Sequence, residues 1–393
     1  MFFKDDDFQL RPEDELMLCC ARTKFNDEIK NKIISLASMD LNWEYLINMA
    51  SRHRLRPLLY VNLNSICPEK VPEDVLGNLK SYYMANVQKN LMLAGELFKI
   101  IEILESNNIK AIPYKGPVLA SLAYGNIGLR LINDLDVYIN ESDVINTKKI
   151  LILTGYKPYF DLNNVNTSNL LKTQREYLFT SPKGFILEIH WNIQGPHVYL
   201  PTEHNFLYKD LEIVKINNFK IFSFNPENLI LILSLHSAKH NWEYLSLLCD
   251  ISTLIESQNI NWDNILEKAE KLFIKRIFAI NILLIKDLLN LKIPENVLIN
   301  LFSDTYSLKI VNNLKKKILN DESNLIIFEK IIIDLKKREQ LKYGIIDCSY
   351  SITRPSYADF KDINLPKRLF ALYYFIRPFL LIRRYFRNNI NNE

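Results

Sequence analysis

The chain predicts an α+β fold in which a small mixed-sheet core is flanked by N- and C-terminal helical regions. Apolar residues recur at helical intervals before about residue 105 and again beyond residue 225. Between those stretches lie short β-like segments punctuated by glycine and proline. Their order, strand–helix–strand–helix–hairpin, is that of a compact mixed α/β unit. The expected division is residues 1–105, 106–224 and 225–393.

Leu16, Leu18, Ile29, Ile33, Leu36, Trp43, Leu46 and Ile47 mark the first helices, with Asp40 and Asn42 as caps. Ser51-Arg-His-Arg-Leu-Arg-Pro57 closes one helix with positive charge, and Pro57 opens the next segment. Tyr82 to Asn107 reads as one long helix. Ile109 to Tyr114 is β-like and stops at Lys115-Gly116-Pro117, where a short helix, Val118 to Tyr124, ends on Gly125 as a left-handed cap. A strand containing Asp134 and Asp136 runs on through Ile139. Glu141-Ser142-Asp143 then begins a helix ending near Gly155, with Ser142 as its cap. Strands at Tyr177 to Thr180 and Phe185 to Ile193 are joined across Ser181-Pro-Lys-Gly184. Asn225 caps the next helix and Pro226 occupies its first turn; helical periodicity then persists, with Leu308 to Lys342 read as charged helical surface.

At 393 residues, 48% apolar and 24% charged, the chain is an ordinary globular protein with room for several cores. A net charge of +4 is too small to argue for nucleic acid. Cys19, Cys20, Cys67, Cys249 and Cys348 have no metal-ligand spacing and read as free thiols. The opening Met-Phe-Phe-Lys-Asp-Asp-Asp lacks a signal-peptide apolar core, and no run approaches the roughly 18 apolar residues of a membrane span. A cytoplasmic protein is expected.

Chemistry concentrates in three places. Asp134 and Asp136 alternate on a strand, so both project from one face and repel unless a cation lies between them. Oxygen donors at that spacing suit Mg²⁺ or Mn²⁺, ions that commonly hold nucleotide phosphates. Lys115-Gly116-Pro117 sits at a strand-to-helix junction. There a glycine admits close backbone approach, and a helix N-terminus with a lysine attracts an anion. Glu188 shares a strand face with Ile186, His190 and Asn192, and pairing with the same cations relieves the cost of its burial. Three carboxylates from two strands are what a two-metal phosphoryl-transfer site needs.

The run Tyr114-Lys-Gly-Pro-Val-Leu-Ala-Ser-Leu-Ala-Tyr-Gly125, then Arg130, Asp134-Leu-Asp136-Val and Glu188-Ile-His190-Trp191, resembles a family of largely uncharacterised bacterial nucleotidyltransferases in the DNA polymerase β-like superfamily. The resemblance covers roughly residues 25 to 260. It extends to Arg52-His-Arg-Leu-Arg-Pro, to His236-Ser-Ala-Lys-His240-Asn-Trp242 and to Asp250, and the closing Tyr-Phe-Ile-Arg-Pro-Phe-Leu-Leu-Ile-Arg is similar as well. It implies a polymerase β-like nucleotidyltransferase core. In that core Asp134 and Asp136 hold Mg²⁺ or Mn²⁺, Glu188 is the third carboxylate, and Lys115 and Arg130 meet phosphate. Superfamily members often carry Gly-Ser in the first turn where this chain has Lys115-Gly116. The implied reaction moves an NMP from an NTP to an acceptor (a small molecule, protein or RNA), releasing pyrophosphate. No general base is named beyond Asp250, which rests on the resemblance alone.

His236 and His240 lie one helical turn apart, a spacing compatible with zinc, but Ser237 stands where a metalloprotease helix has glutamate. The preferred reading makes them structural or pocket-lining, on a helix that covers the nucleotide with His236, Lys239 or His240 on phosphate or acceptor. His190 either orients Glu188 or is a satisfied, half-buried histidine. Residues 367–387 mix aromatics with cations; packing on the helical domain is the preferred reading, and contact with an anionic membrane surface is the other. Two rivals stand beside the enzyme: a non-catalytic nucleotide-binding regulatory module, and a toxin- or resistance-type transferase acting on protein, tRNA or antibiotic. The chain has no Gly-rich Walker loop and no kinase motif set.

Overall fold

A computed structural model describes residues 10–160, 167–193, 199–200, 208, 210–216, 219–302, 304–319 and 327–390. The opening segment read above for a signal peptide lies outside them. Five helices come first: α1 (Pro12–Cys20), α2 (Asp27–Ala37), α3 (Trp43–Arg52), α4 (Arg56–Ile66) and α5 (Glu73–Glu105). Asn42 caps α3 by accepting the Tyr45 N–H at 2.9 Å; the cap is Asn42 and not Asp40, because only Asn42 adjoins the first turn. Pro57 lies in the first turn of α4, as expected. α5 starts well before Tyr82. Glu73 and Asp74 favour its N-terminus, and the fully buried Leu79 packs its early turns against α4, outweighing the helix-weakening Gly77.

The sheet comprises β1 (Ile112–Pro113), β2 (Asp134–Tyr138), β3 (Lys157–Pro158), β4 (Glu176–Thr180) and β5 (Ile186–His190), in the order β1-β2-β5-β4-β3. β2 and β5 are parallel and the other pairs antiparallel, so the sheet is mixed. β4 and β5 form the expected hairpin, although β5 stops at His190, short of Ile193. α6 (Gly116–Tyr124) ends on Gly125 at φ +65°, the left-handed cap read from the sequence. α7 (Val144–Leu153) follows a 3₁₀ turn at Glu141–Asp143. Ser142 does not cap it: that turn makes Asp143 the boundary residue, and the Ser142 hydroxyl donates to the Asp143 carboxylate at 3.4 Å.

After α8 (Thr167–Thr173) and the β4–β5 hairpin comes an antiparallel pair absent from the expectation, β6 (Leu211–Ile216) and β7 (Phe219–Phe224). Its alternation is blurred because Ile213 and Phe219 face outward; the Asn217-Asn218 step between the two runs was its sequence signal. α9 (Pro226–Lys239) begins as expected, with Asn225 accepting the Asn228 N–H at 2.8 Å. Then follow α10 (Leu245–Ser257), α11 (Trp262–Lys271), α12 (Lys275–Leu289), α13 (Glu295–Phe302) and α14 (Thr305–Leu319). The chain closes with α15 (Ile327–Lys336), α16 (Leu341–Thr353), α17 (Tyr357–Asp362) and α18 (Leu372–Ile390). The lysine-rich α14 is only half surface, since Ile310, Val311, Leu314 and Ile318 point inward. No helix among the described residues is long and apolar enough to cross a membrane. All five cysteines are unpaired.

Alternation along β2 and β5 divides the apolar interior. Leu135, Val137, Leu187 and Ile189 face a core shared with the second half of α5 and, from far along the chain, Tyr357, Phe360, Phe370 and Tyr373. The opposite face of the sheet turns toward a second core built from α1–α4 and α9–α14. His53, fully buried after α3, ties two parts of that second core together. Its Nε2 lies 3.0 Å from the Ile318 carbonyl, and its Nδ1 accepts the Leu245 N–H at 3.3 Å. A neutral ring with its hydrogen on Nε2 satisfies both contacts. Burial and the charge of Arg52 push its pKa down to about 4.

In the unfolded chain this histidine takes a proton below about pH 6.5, while the native ring does not until about pH 4. Stability is therefore complete above pH 6.5 and is lost as pH falls toward 4, by at most about 3 kcal/mol for this group. Urea denaturation from neutral pH to about pH 4 is expected to show that slope, and His53→Gln to flatten it. Equal acid slopes in the two proteins would exclude His53 as its source.

Candidate active site

The parallel register of β2 with β5 sets Asp136 directly beside Glu188. Both project from the face opposite the Leu135/Leu187 core, so two carboxylates meet where the sheet turns toward the helices. Asp136 is fully buried and Glu188 half-buried. His190 completes the group. Its Nε2 is 3.1 Å from Asp136 Oδ1 and 3.3 Å from Glu188 Oε2, and its Nδ1 is 3.4 Å from Glu176 Oε2 on β4.

Lys115 enters from the turn between β1 and α6, with its Nζ 2.5 Å from Asp136 Oδ1. Gly116 makes that turn at φ +56°, with its would-be Cβ 3.5 Å from the Asp134 carbonyl oxygen, so any side chain there carries backbone strain. Burial alone would push the Asp136 carboxyl up, but Lys115 and His190 hold it far below the usual carboxylate range. Burial opposes the charged form of His190 too, yet its bonds to Asp136 and Glu188 raise it to about 9, so the ring is cationic at neutral pH. The same histidine outweighs burial at Glu188 and lowers it. Asp134, half-exposed on the same face as Asp136, is pushed up by burial and by the neighbouring Asp136 charge.

Arg130 is committed elsewhere. Its Nε and Nη2 donate to Asp250 Oδ1 and Oδ2 at 2.9 and 3.0 Å, and the Tyr124 hydroxyl donates to Oδ1 at 2.8 Å. With both oxygens occupied, Asp250 positions Arg130 and Tyr124, a poor arrangement for a general base. The Arg130 carbonyl accepts from Asn86 and Asn90 on α5 at 3.1 and 2.8 Å, and the same amides reach the Gly128 and Ile127 carbonyls. The loop entering β2 is thus fastened to α5 by side-chain amides that the sequence reading passed over; their spacing of one helical turn was the signal.

A cleft of about 180 Å³ opens here, walled by Lys115, Arg130, Asp134, Asp136, His236, His240 and Arg54. Beyond His236 a narrower recess is walled by Tyr114, Glu176, His190 and Lys239. The structure thus gathers Lys115, Arg130, Asp134, Asp136, His236 and His240 at one opening, with Lys239 at the adjoining one. Burial pushes His236 well below the ordinary imidazole range and His240 to about 4, so both rings are neutral at pH 7. They meet edge-on at 4.8 Å and join no metal-donor group among the described residues. Arg54 is the residue that sequence reasoning left without a role. It is not glycine, yet it holds φ +62°, and its guanidinium lies 4.0 Å over the Tyr244 ring. No carboxylate pairs with it among the described residues. Its only signal was the basic run that ends α3.

One donor atom each from Asp136, Glu188 and His190 lies within 4.8 Å of the others. Two ionised carboxylates at that spacing fit a divalent cation, with His190 a third donor only once its ring gives up a proton, whereas Asp134, expected to share the metal with Asp136, stands outside this compact set. Residues 39–290 match a family described as uncharacterised nucleotidyltransferase. The chain belongs to that family. No curated protein and no solved structure matches it. The span shared with the nucleotidyltransferase family contains every residue of the cleft, including Arg54 and Asp250; α13 to α18 and the closing aromatic–basic segment lie beyond it.

Asp250→Asn would leave the mostly buried Arg130 guanidinium facing a neutral amide in a place where the Asp250 side chain is nearly inaccessible to water. The expected cost is about 3 kcal/mol or more in urea denaturation, since one partner of a buried pair is removed. A loss below about 1 kcal/mol would mark it as no stronger than a surface pair.

Proposed function

We propose that the chain is a metal-dependent nucleotidyltransferase that moves a nucleoside monophosphate from an NTP to an acceptor hydroxyl, amine or phosphate, with release of pyrophosphate. The observation that carries this reading is the in-register pairing of Asp136 with Glu188 beneath the start of α6, in a chain of this family. Asp136 and Glu188, with Asp134 or His190 beside them, would hold Mg²⁺ or Mn²⁺. The ion supplies charge neutralisation for the triphosphate and lowers the pKa of the attacking group.

The protein's own groups perform the remaining work. The free N–H groups at the start of α6 and the Gly116 turn offer donors and a positive dipole to phosphate. Lys115, paired with Asp136, would add a point charge beside the phosphates. Arg54 brings a planar guanidinium to the cleft mouth, pre-oriented by Tyr244. Arg130, fixed by Asp250, holds the loop that aims Asp134 and Asp136. His236 and His240, uncharged, wall the cleft without joining the metal-donor group, and His236 and Lys239 line the adjoining recess, where an acceptor would meet them. Catalysis would come from positioning and electrostatics, with residues 106–224 as the reacting unit and the flanking helices shaping acceptor choice.

One observation favours a non-catalytic nucleotide-binding module instead: Lys115 and a cationic His190 already neutralise Asp136 without a metal. Incubating the protein with Mg²⁺ or Mn²⁺, each α-labelled NTP and cell lysate separates the two readings. Transfer of label with pyrophosphate release is expected, falling roughly a thousandfold in Asp136→Asn and Glu188→Gln, the scale of several kcal/mol in the barrier. NTP binding with no transfer would establish the binding module. Arg54→Ala is expected to raise the KM for NTP about tenfold with kcat little changed, the loss of one charge-assisted contact. An unchanged KM would remove Arg54 from the phosphate site.

A further inference from the structure

α18 has two apolar faces, and only one is used. Tyr373 and Leu380 are buried against the body of the protein, together with Arg377. Arg377 pairs with Asp359 and donates to the Ser351 carbonyl at 3.1 Å. Arg384 lies 2.8 Å from both Asp359 Oδ1 and Asp362 Oδ2. On the opposite side, Leu372, Phe375, Phe379 and Ile382 follow one another at steps of three, four and three residues, one continuous stripe on a helix. Their exposures are 42%, 72%, 72% and 55%, far above those of the seated face, and Leu369 extends the stripe at 46%.

The cations divide in the same way. From Ile363 to Asn392 the chain has no acidic residue but has Lys367, Arg368, Arg377, Arg383, Arg384 and Arg387. Arg377 and Arg384 are consumed by the internal pairs. Lys367, Arg368, Arg383 and Arg387 are exposed, and none forms an ion pair among the described residues.

We propose that this face of α18 docks on an anionic phospholipid surface, with Phe375, Phe379, Leu372 and Ile382 entering the headgroup–acyl boundary and Lys367, Arg368, Arg383 and Arg387 meeting lipid phosphates. Apolar stripe and unpaired cations together form the two-signal combination that reversible surface attachment requires. The helix lies along the surface, because its other face is pinned by Asp359 and Asp362. A second copy of the chain fits less well: an isologous pairing would bring the same cations together with no acidic residue on this face to answer them. This inference is independent of the chemistry in the cleft.

Co-sedimentation of the full chain with vesicles of phosphatidylcholine alone, and of phosphatidylcholine mixed with phosphatidylglycerol, tests it. Binding to the mixed vesicles is expected to exceed binding to the neutral ones at least about tenfold and to weaken with salt. Phe375→Ser/Phe379→Ser and Arg383→Gln/Arg387→Gln should each reduce it roughly tenfold while far-UV circular dichroism and melting temperature stay unchanged. Three results would overturn the proposal. One is equal or absent binding to both vesicle types. Another is a concentration-dependent dimer in light scattering that the phenylalanine substitutions abolish, which would give the stripe to a second copy. The last is a lowered melting temperature in those variants, which would make the stripe part of the folded core.

Discussion

A buried carboxylate needs a cation, and that requirement organises the molecule. Asp136 is nearly inaccessible at the centre of the sheet, and its charge is tolerated only because Lys115 and His190 reach it. Each comes from a different element: Lys115 from the turn before α6, His190 from the far end of β5. Holding both in place fixes the pairing of β2 with β5, the left-handed backbone at Gly116 and the start of α6. The cleft is what remains on the solvent side of this arrangement.

The same logic recurs around it with different partners. Arg130, in the loop entering β2, is neutralised by Asp250 of α10, and Arg377 and Arg384 of α18 by Asp359 and Asp362 of α17. Histidines respond in opposite directions according to company. His190, among Asp136, Glu188 and Glu176, is driven to carry charge, whereas His53, His236 and His240, desolvated and near cations, are driven to lose it. At neutral pH the cleft therefore sets the uncharged His236 and His240 rings beside the Lys115–Asp136 and Arg130–Asp250 pairs, with Arg54 the cation there that no carboxylate answers among the described residues.

Much of this was legible in the sequence where the information is local. Alternation placed Asp134 with Asp136 and Glu188 with His190 on shared faces; Asn42, Asn225 and Gly125 announced helix ends; Lys115-Gly116-Pro117 announced a strand-to-helix turn. What escaped is pairing across long separations. Nothing in the order of residues says that Lys115 selects Asp136, that Arg130 selects Asp250 a hundred and twenty positions later, or that Arg54 finishes beside the same opening. The β6–β7 hairpin escaped for another reason, since outward-facing Ile213 and Phe219 blur the two-residue period on which a strand reading depends. The early turns of α5 escaped because tertiary packing at Leu79 overrides what Gly77 suggests locally.

The aromatic residues near the end of the chain have a bearing on how the molecule is made. Tyr357, Phe360, Phe370 and Tyr373 fill the underside of the sheet whose strands begin with Ile112. During synthesis, β1 to β5 leave the ribosome well before those side chains, so the part of the sheet's underside that α5 does not cover stays open to water until residues 357–373 emerge. That core is completed only once residues 357–373 have been made, and the nascent chain spends the interval exposed to aggregation and to chaperones.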